Sequence, residues 1–178
     1  MRVRIIAILL AAASPATALA AAPDEPTALC YQVAAPPPEL ADWSRDASTK
    51  TIYAYGDDLG ADWSSLGAAR TEMPLHKFES LRYGVAPGRK PDVYKFGGMV
   101  PIDVAKAGRL VVALDAGAWI DLVRDGRIVK SASHEHGPPC SGIRKLVEFD
   151  VTQGRYVLQI VNAPTASIRA MAVLRPTP

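Results

Sequence analysis

The chain has 178 residues, 49% of them apolar, with 20 Lys+Arg against 18 Asp+Glu, two cysteines and three histidines. The small basic excess resides in Arg2 and Arg4, and beyond residue 20 the two signs balance; this excludes the basic footprint of a nucleic-acid-binding protein. The length suits one compact domain with its own core.

In chain order, Met1-Arg-Val-Arg sets two positive charges before an apolar stretch over 5–13, and Ala18-Leu19-Ala20 supplies a small-x-small cleavage site. Residues 1–20 therefore read as a cleavable secretory signal peptide. The apolar stretch is shorter than the roughly 20 residues that a bilayer span requires, and no second candidate follows. Cys30 follows Leu29 and lies beyond Asp24 and Glu25, a context unlike a lipid-anchor site. The expected product is periplasmic or secreted, with no membrane span after cleavage.

Residues 21–40 are rich in Ala and Pro and predict an extended, polyproline-like arm. The remainder, 41–178, reads as a single β-sandwich domain. Its first part is weakly patterned: 49–55 alternates as a strand, while Leu59, Trp63 and Leu66 have helical spacing that Gly60 and Gly67 oppose. From residue 93 onward, β-rich runs follow at 93–104, 109–115, 118–124, 127–131, 144–151, 155–162 and 167–174, each bounded by turn residues. Asp125-Gly126 is a strong two-residue hairpin signal, because a type I′ turn needs positive φ at both positions. Seven short strands with tight turns predict an all-β fold, an antiparallel β-sandwich or jelly-roll-like barrel.

An isolated cysteine pair in an exported chain predicts a disulfide between Cys30 and Cys140, tying the arm to a loop of the C-terminal half. In the chain-entropy account a loop on the order of 100 residues contributes roughly 4–5 kcal/mol.

Chemistry concentrates in His134-Glu135-His136-Gly137-Pro138-Pro139-Cys140. On a strand, His134 and His136 share a face and can ligate one divalent metal, iron or zinc, with Asp121, Asp125 or His76 as a third ligand. The alternative is a polar loop whose histidines are solvated and whose Pro-Pro-Cys fixes the approach to the disulfide. No Gly-x-Ser-x-Gly elbow occurs, and Ser131, Ser133 and Ser141 read as turn residues. Trp119, Tyr94 and Tyr156 fall in strand runs, where large aromatics pack in the core; on an exposed face they stack on sugars or peptides. Arg124, Arg127, Lys130, Arg144 and Lys145 read as dispersed charges that keep strand edges apart.

Residues 96–104, the run Ala107-Gly108-Arg-Leu-Val-Val-Ala-Leu, the pair Trp119-Ile-Asp-Leu-Val-Arg-Asp-Gly and Gly154-Arg-Tyr-Val-Leu-Gln-Ile resemble the strands of bacterial pre-peptidase C-terminal-type sandwiches. That resemblance covers about the last 85 residues and implies a non-catalytic accessory fold. With the His-x-His-Gly-Pro-x-Cys-Ser-Gly loop, the chain is also similar to short exported alphaproteobacterial proteins that carry the name homogentisate 1,2-dioxygenase. The enzyme of that name resembles cupins, with ferrous iron on two His and a Glu; here Gly137-Pro-Pro-Cys-Ser-Gly stands where the Glu is expected. Two expectations follow. One is a non-catalytic binding or structural protein of the periplasm, without a cofactor, whose partner is a small ligand, a protein or the cell envelope. The other is a metal-dependent, cupin-like oxidoreductase using His134 and His136.

Overall fold

The structure, a computed structural model, describes residues 30, 32–45, 50–56 and 64–176. The expected leader, the start of the arm and most of the helically spaced stretch around Leu59 and Trp63 lie outside them.

Eleven strands are described: β1 (Lys50–Thr51), β2 (Thr71–Pro74), β3 (His76–Lys77), β4 (Phe96–Val104), β5 (Gly108–Leu114), β6 (Trp119–Arg124), β7 (Arg127–Val129), β8 (Ser131–Glu135), β9 (Lys145–Val151), β10 (Gly154–Ala163) and β11 (Ser167–Arg175). They form a six-stranded sheet in the order β1–β2–β11–β5–β9–β8 and a five-stranded sheet in the order β3–β4–β10–β6–β7. Every pairing is antiparallel except β1 with β2. The fold is the all-β sandwich that the alternating runs predict.

Alternation builds the core. Leu110, Val112, Leu114, Val147, Phe149 and Val151 of one sheet meet Val100, Ile102, Ile120, Leu122, Tyr156, Leu158 and Ile160 of the other in one buried cluster. Each such side chain contributes roughly 1.5–3 kcal/mol of apolar burial. The opposite face of the six-stranded sheet presents Val111, Ala113, Leu146 and Met171, and a second cluster closes over it with Leu40 and Trp43. Those two belong to a 3-10 segment, Pro38–Ser44. The arm therefore does not stay extended to residue 40: its end coils to bury two large apolar side chains that an extended chain would leave in water.

Cys30 is bonded to Cys140 with their Cα atoms 5.6 Å apart, and the Ala34 amide donates to the Pro139 carbonyl beside it. Covalent bond and hydrogen bond together seat the arm on the segment between β8 and β9. Among the described residues no helix is long and apolar enough to cross a membrane.

Asp125 (φ 49°) and Gly126 (φ 71°) both adopt positive φ, as the type I′ reading of the β6–β7 hairpin requires. The run expected as one strand over 127–131 instead divides. β7 pairs with β6 in the five-stranded sheet, Lys130 makes the crossing, and β8 joins the edge of the other sheet against β9. The strand expected over 93–104 begins at Phe96, because residues 92–95 turn, with the Lys95 amide donating to the Asp92 carbonyl.

Candidate functional site

The histidine segment is a strand and its exit, not a free loop. In β8, His134 stands opposite Val147 and Glu135 opposite Leu146. Val147 belongs to the core between the sheets and Leu146 to the outer cluster, so His134 and Glu135 take opposite faces. All five residues of β8 are exposed. His136 follows the strand, and its Nδ1 lies 3.1 Å from the Arg144 carbonyl oxygen; that nitrogen carries the proton and donates, leaving Nε2 outward. Both imidazoles line one concavity of about 460 Å³, together with Glu135, Arg144, Lys145 and Gly117.

The acidic partners expected beside them lie elsewhere. Asp121 sits on the outer face of the five-stranded sheet, 4% exposed, with both oxygens engaged: Trp119 Nε1–H donates to Oδ1 at 2.9 Å and the Gly88 amide to Oδ2 at 2.8 Å. Asp125 stands in the turn beside Arg124 at 3.3 Å, with its side chain almost wholly in water. His76 lies on β3 at the far edge of the five-stranded sheet, its Nε2 2.7 Å from the Ala54 carbonyl oxygen. Among the described residues no group of three or more His, Cys, Asp or Glu side chains converges in a way that could hold a metal ion. Ser141 Oγ donates to the Pro138 carbonyl and accepts from the Ile143 amide, the local turn role expected of it.

What does converge near the histidines is a set of cations around Trp119. Lys145 opens β9, crosses to the other sheet to donate to the Ala118 carbonyl at 2.8 Å, and places Nζ 5.5 Å from the centroid of the Trp119 ring. Arg89 approaches the same ring, its Cζ 5.9 Å from the centroid. A concavity of about 390 Å³ opens there, bordered by Arg89, Asp92, Lys95, Trp119, Lys145 and Asn162. Lys145 and Gly117 border both concavities, so the two adjoin, and together they are termed the furrow. Burial lowers the Lys145 pKa, Arg89 lowers it further by like-charge repulsion, and Asp121 opposes them.

A chain of hydrogen bonds explains why Arg89 stands where it does. The segment from Tyr83 to Asp92 lies across the outer face of β10 and β6. Tyr83 Oη donates to the Ile160 carbonyl, the Val85 amide to Gln159 Oε1, the Gly88 amide to Asp121, and the Asp92 amide to Asn162 Oδ1. Asn162 Nδ2 returns a bond to the Lys90 carbonyl. Asn162 has φ 61° and lies within the stretch between Ile160 and Ala163 where the register of β10 against β4 shifts; the bulge aims its side chain at the segment rather than along the ladder. Gly88 is required by proximity, since a Cβ there would lie 2.9 Å from Asp121 Oδ1. Burial, with Asp121 adding to it, pushes the Tyr83 hydroxyl well above its ordinary pKa, so it stays a neutral donor.

The aromatics divide three ways. Tyr156 is in the core with its hydroxyl bonded to the Thr152 backbone and Arg124. Trp119 is half-buried at the furrow. Tyr94, expected in a strand, caps the 92–95 turn and is 89% exposed. Lys145, expected as edge charge, faces the furrow, and Arg89 carried no expectation at all. The signal for Arg89 was the basic pair Arg89-Lys90 held between Pro87 and Pro91, a short rigid loop carrying charge. A scan against protein-family models finds no match, and a search of curated proteins finds no significant one.

Proposed function

We propose that this chain is a non-catalytic binding protein of an oxidising extracytoplasmic compartment, the bacterial periplasm, and that the furrow around Trp119 is its ligand face. The observation that carries this reading is the approach of Arg89 and Lys145 to one half-buried indole. They come from a loop whose Gly88 amide is bonded to Asp121, and from the opposite sheet, where Lys145 Nζ bonds the Ala118 carbonyl. Pre-placed side chains at the rim of an open cavity suit recognition. The Cys30–Cys140 bond supports the compartment, and the resemblance to pre-peptidase C-terminal-type sandwiches supports a non-catalytic role.

The metal-enzyme reading draws on His134 and His136 sharing a concavity. The residues there fit a ferrous or zinc site poorly. Two imidazoles supply half of a four-ligand set, no group of three or more His, Cys, Asp or Glu side chains converges among the described residues, and Arg144 and Lys145 share the cavity with them. Like charge raises the cost of placing a divalent ion beside them.

Metal analysis of the purified mature protein, with oxygen uptake on homogentisate, tests the proposal. It predicts no stoichiometric iron, zinc or copper and no uptake above background. Stoichiometric metal that disappears in His134→Ala/His136→Ala together with oxygen uptake would overturn it.

A further inference from the structure

We propose that the furrow recognises an anionic group, a phosphate or carboxylate, between Arg89 and Lys145. This deepens the binding-protein reading and rests on it.

Two cations at this ring have no carboxylate to answer them among the described residues. Six arginines of the described residues, Arg109 and Arg175 among them, hold a carboxylate within 3.3 Å. Arg89 and Lys145 hold none within salt-bridge distance among the described residues, although they gather on the same ring. The ring's negative face is a weak substitute for a counter-ion. The nearby carboxylate that would neutralise them, Asp121, is buried at the edge of the indole with its two oxygens already accepting from Trp119 Nε1 and Gly88. It fixes the ring and the loop, and no hydrogen bond or ion pair links it to either cation among the described residues.

Donors remain to be used. Lys145 Nζ gives one bond, to the Ala118 carbonyl, and an ammonium group has three donors. Arg89 has no hydrogen bond among the described residues, leaving the guanidinium fork that matches an oxyanion in two places. Lys95 adds a third cation to the border and Asp92 a single opposing charge, whose Oδ1 accepts the Tyr94 amide. The depressed pKa of Lys145, caused by burial and then by Arg89, is the strain that a bound anion would relieve. A concavity of about 390 Å³ has room for a phosphate ester or a sugar acid.

The test is an NMR titration of the ¹⁵N-labelled, disulfide-bonded mature protein, reading the Trp119 indole N–H. The probes are inorganic phosphate, sodium glucuronate, neutral glucose, and sodium chloride at matched ionic strength. We expect a saturable shift with phosphate or glucuronate and none with chloride, and the two anion arms show which oxyanion is preferred. Arg89→Gln alters an exposed side chain and keeps the fold; it weakens the anion at least about fivefold. Lys145→Met keeps the aliphatic stem and weakens it comparably. Asp92→Asn, which preserves the acceptor for Tyr94, strengthens it about twofold. A chloride response equal to that of the anions, or unchanged affinity in Arg89→Gln and Lys145→Met, overturns the proposal. Glucose binding as well as glucuronate at Trp119 also overturns it while the binding-protein reading stands; that reading is decided separately by metal content and oxygen uptake.

Discussion

At the scale of single residues, Asp121 is the most instructive side chain, because its apparent chemistry and its actual work differ. Its place in the hairpin that leads into the histidine segment makes it a candidate metal ligand, yet its two oxygens take one N–H from its own strand and one from the Gly88 loop. A carboxylate is suited to that task because both oxygens accept. Asp121→Asn presents an NH₂ to one of those donors, so a buried N–H loses its acceptor; this costs about 1–3 kcal/mol. We expect the denaturation midpoint to fall accordingly and the Trp119 indole resonance to move. An unchanged midpoint would show that the loop does not depend on this carboxylate. Histidine was legible because it is rare in this chain. The cations were not, because Arg89 and Lys145 are ordinary surface residues in sequence, and only tertiary structure brings them to one ring.

At the scale of elements, the clearest local signals translate directly. Asp125-Gly126 fixes its own φ values irrespective of the rest of the molecule, and the strand runs alternate because one face of each is buried between the sheets. Gly126 has nothing within 4 Å of where a Cβ would stand, so the cost of Gly126→Val is conformational alone. Placing a β-branched residue at φ 71° destabilises by about 1 kcal/mol or more, read as a lowered unfolding midpoint; an unaltered midpoint would contradict the turn assignment. Other elements left no such signal. β2 and β3 are four and two residues long, too short for a period to show. The exchange of sheets at Lys130 follows from where β9 offers an unpaired edge, which is information carried by residues 145–151 and not by 127–135.

At the scale of the molecule, the two edges that meet near the furrow explain why a site forms there. β7 ends one sheet and β8 begins the edge of the other, with the chain passing between them at Lys130. At this side the sheets are joined by a covalent crossing, and Lys145 reaches from one to the other beside it. The disulfide, closing 110 residues of separation, holds the arm and its Leu40 and Trp43 against the outer face of the same six-stranded sheet. The surrounding frame is thus fixed, and the furrow needs little ordering on binding, which favours affinity from few contacts.

The measurement that tests the central claim most directly is a sequential titration of one sample of mature protein, with zinc first and glucuronate after its removal, following the Trp119 indole and the ring signals of His134 and His136 together. The account predicts that glucuronate shifts the Trp119 indole saturably, and that zinc moves the two histidines only weakly and independently of each other. One equivalent of zinc binding tightly to both imidazoles at once, with Trp119 unresponsive to glucuronate, would contradict it.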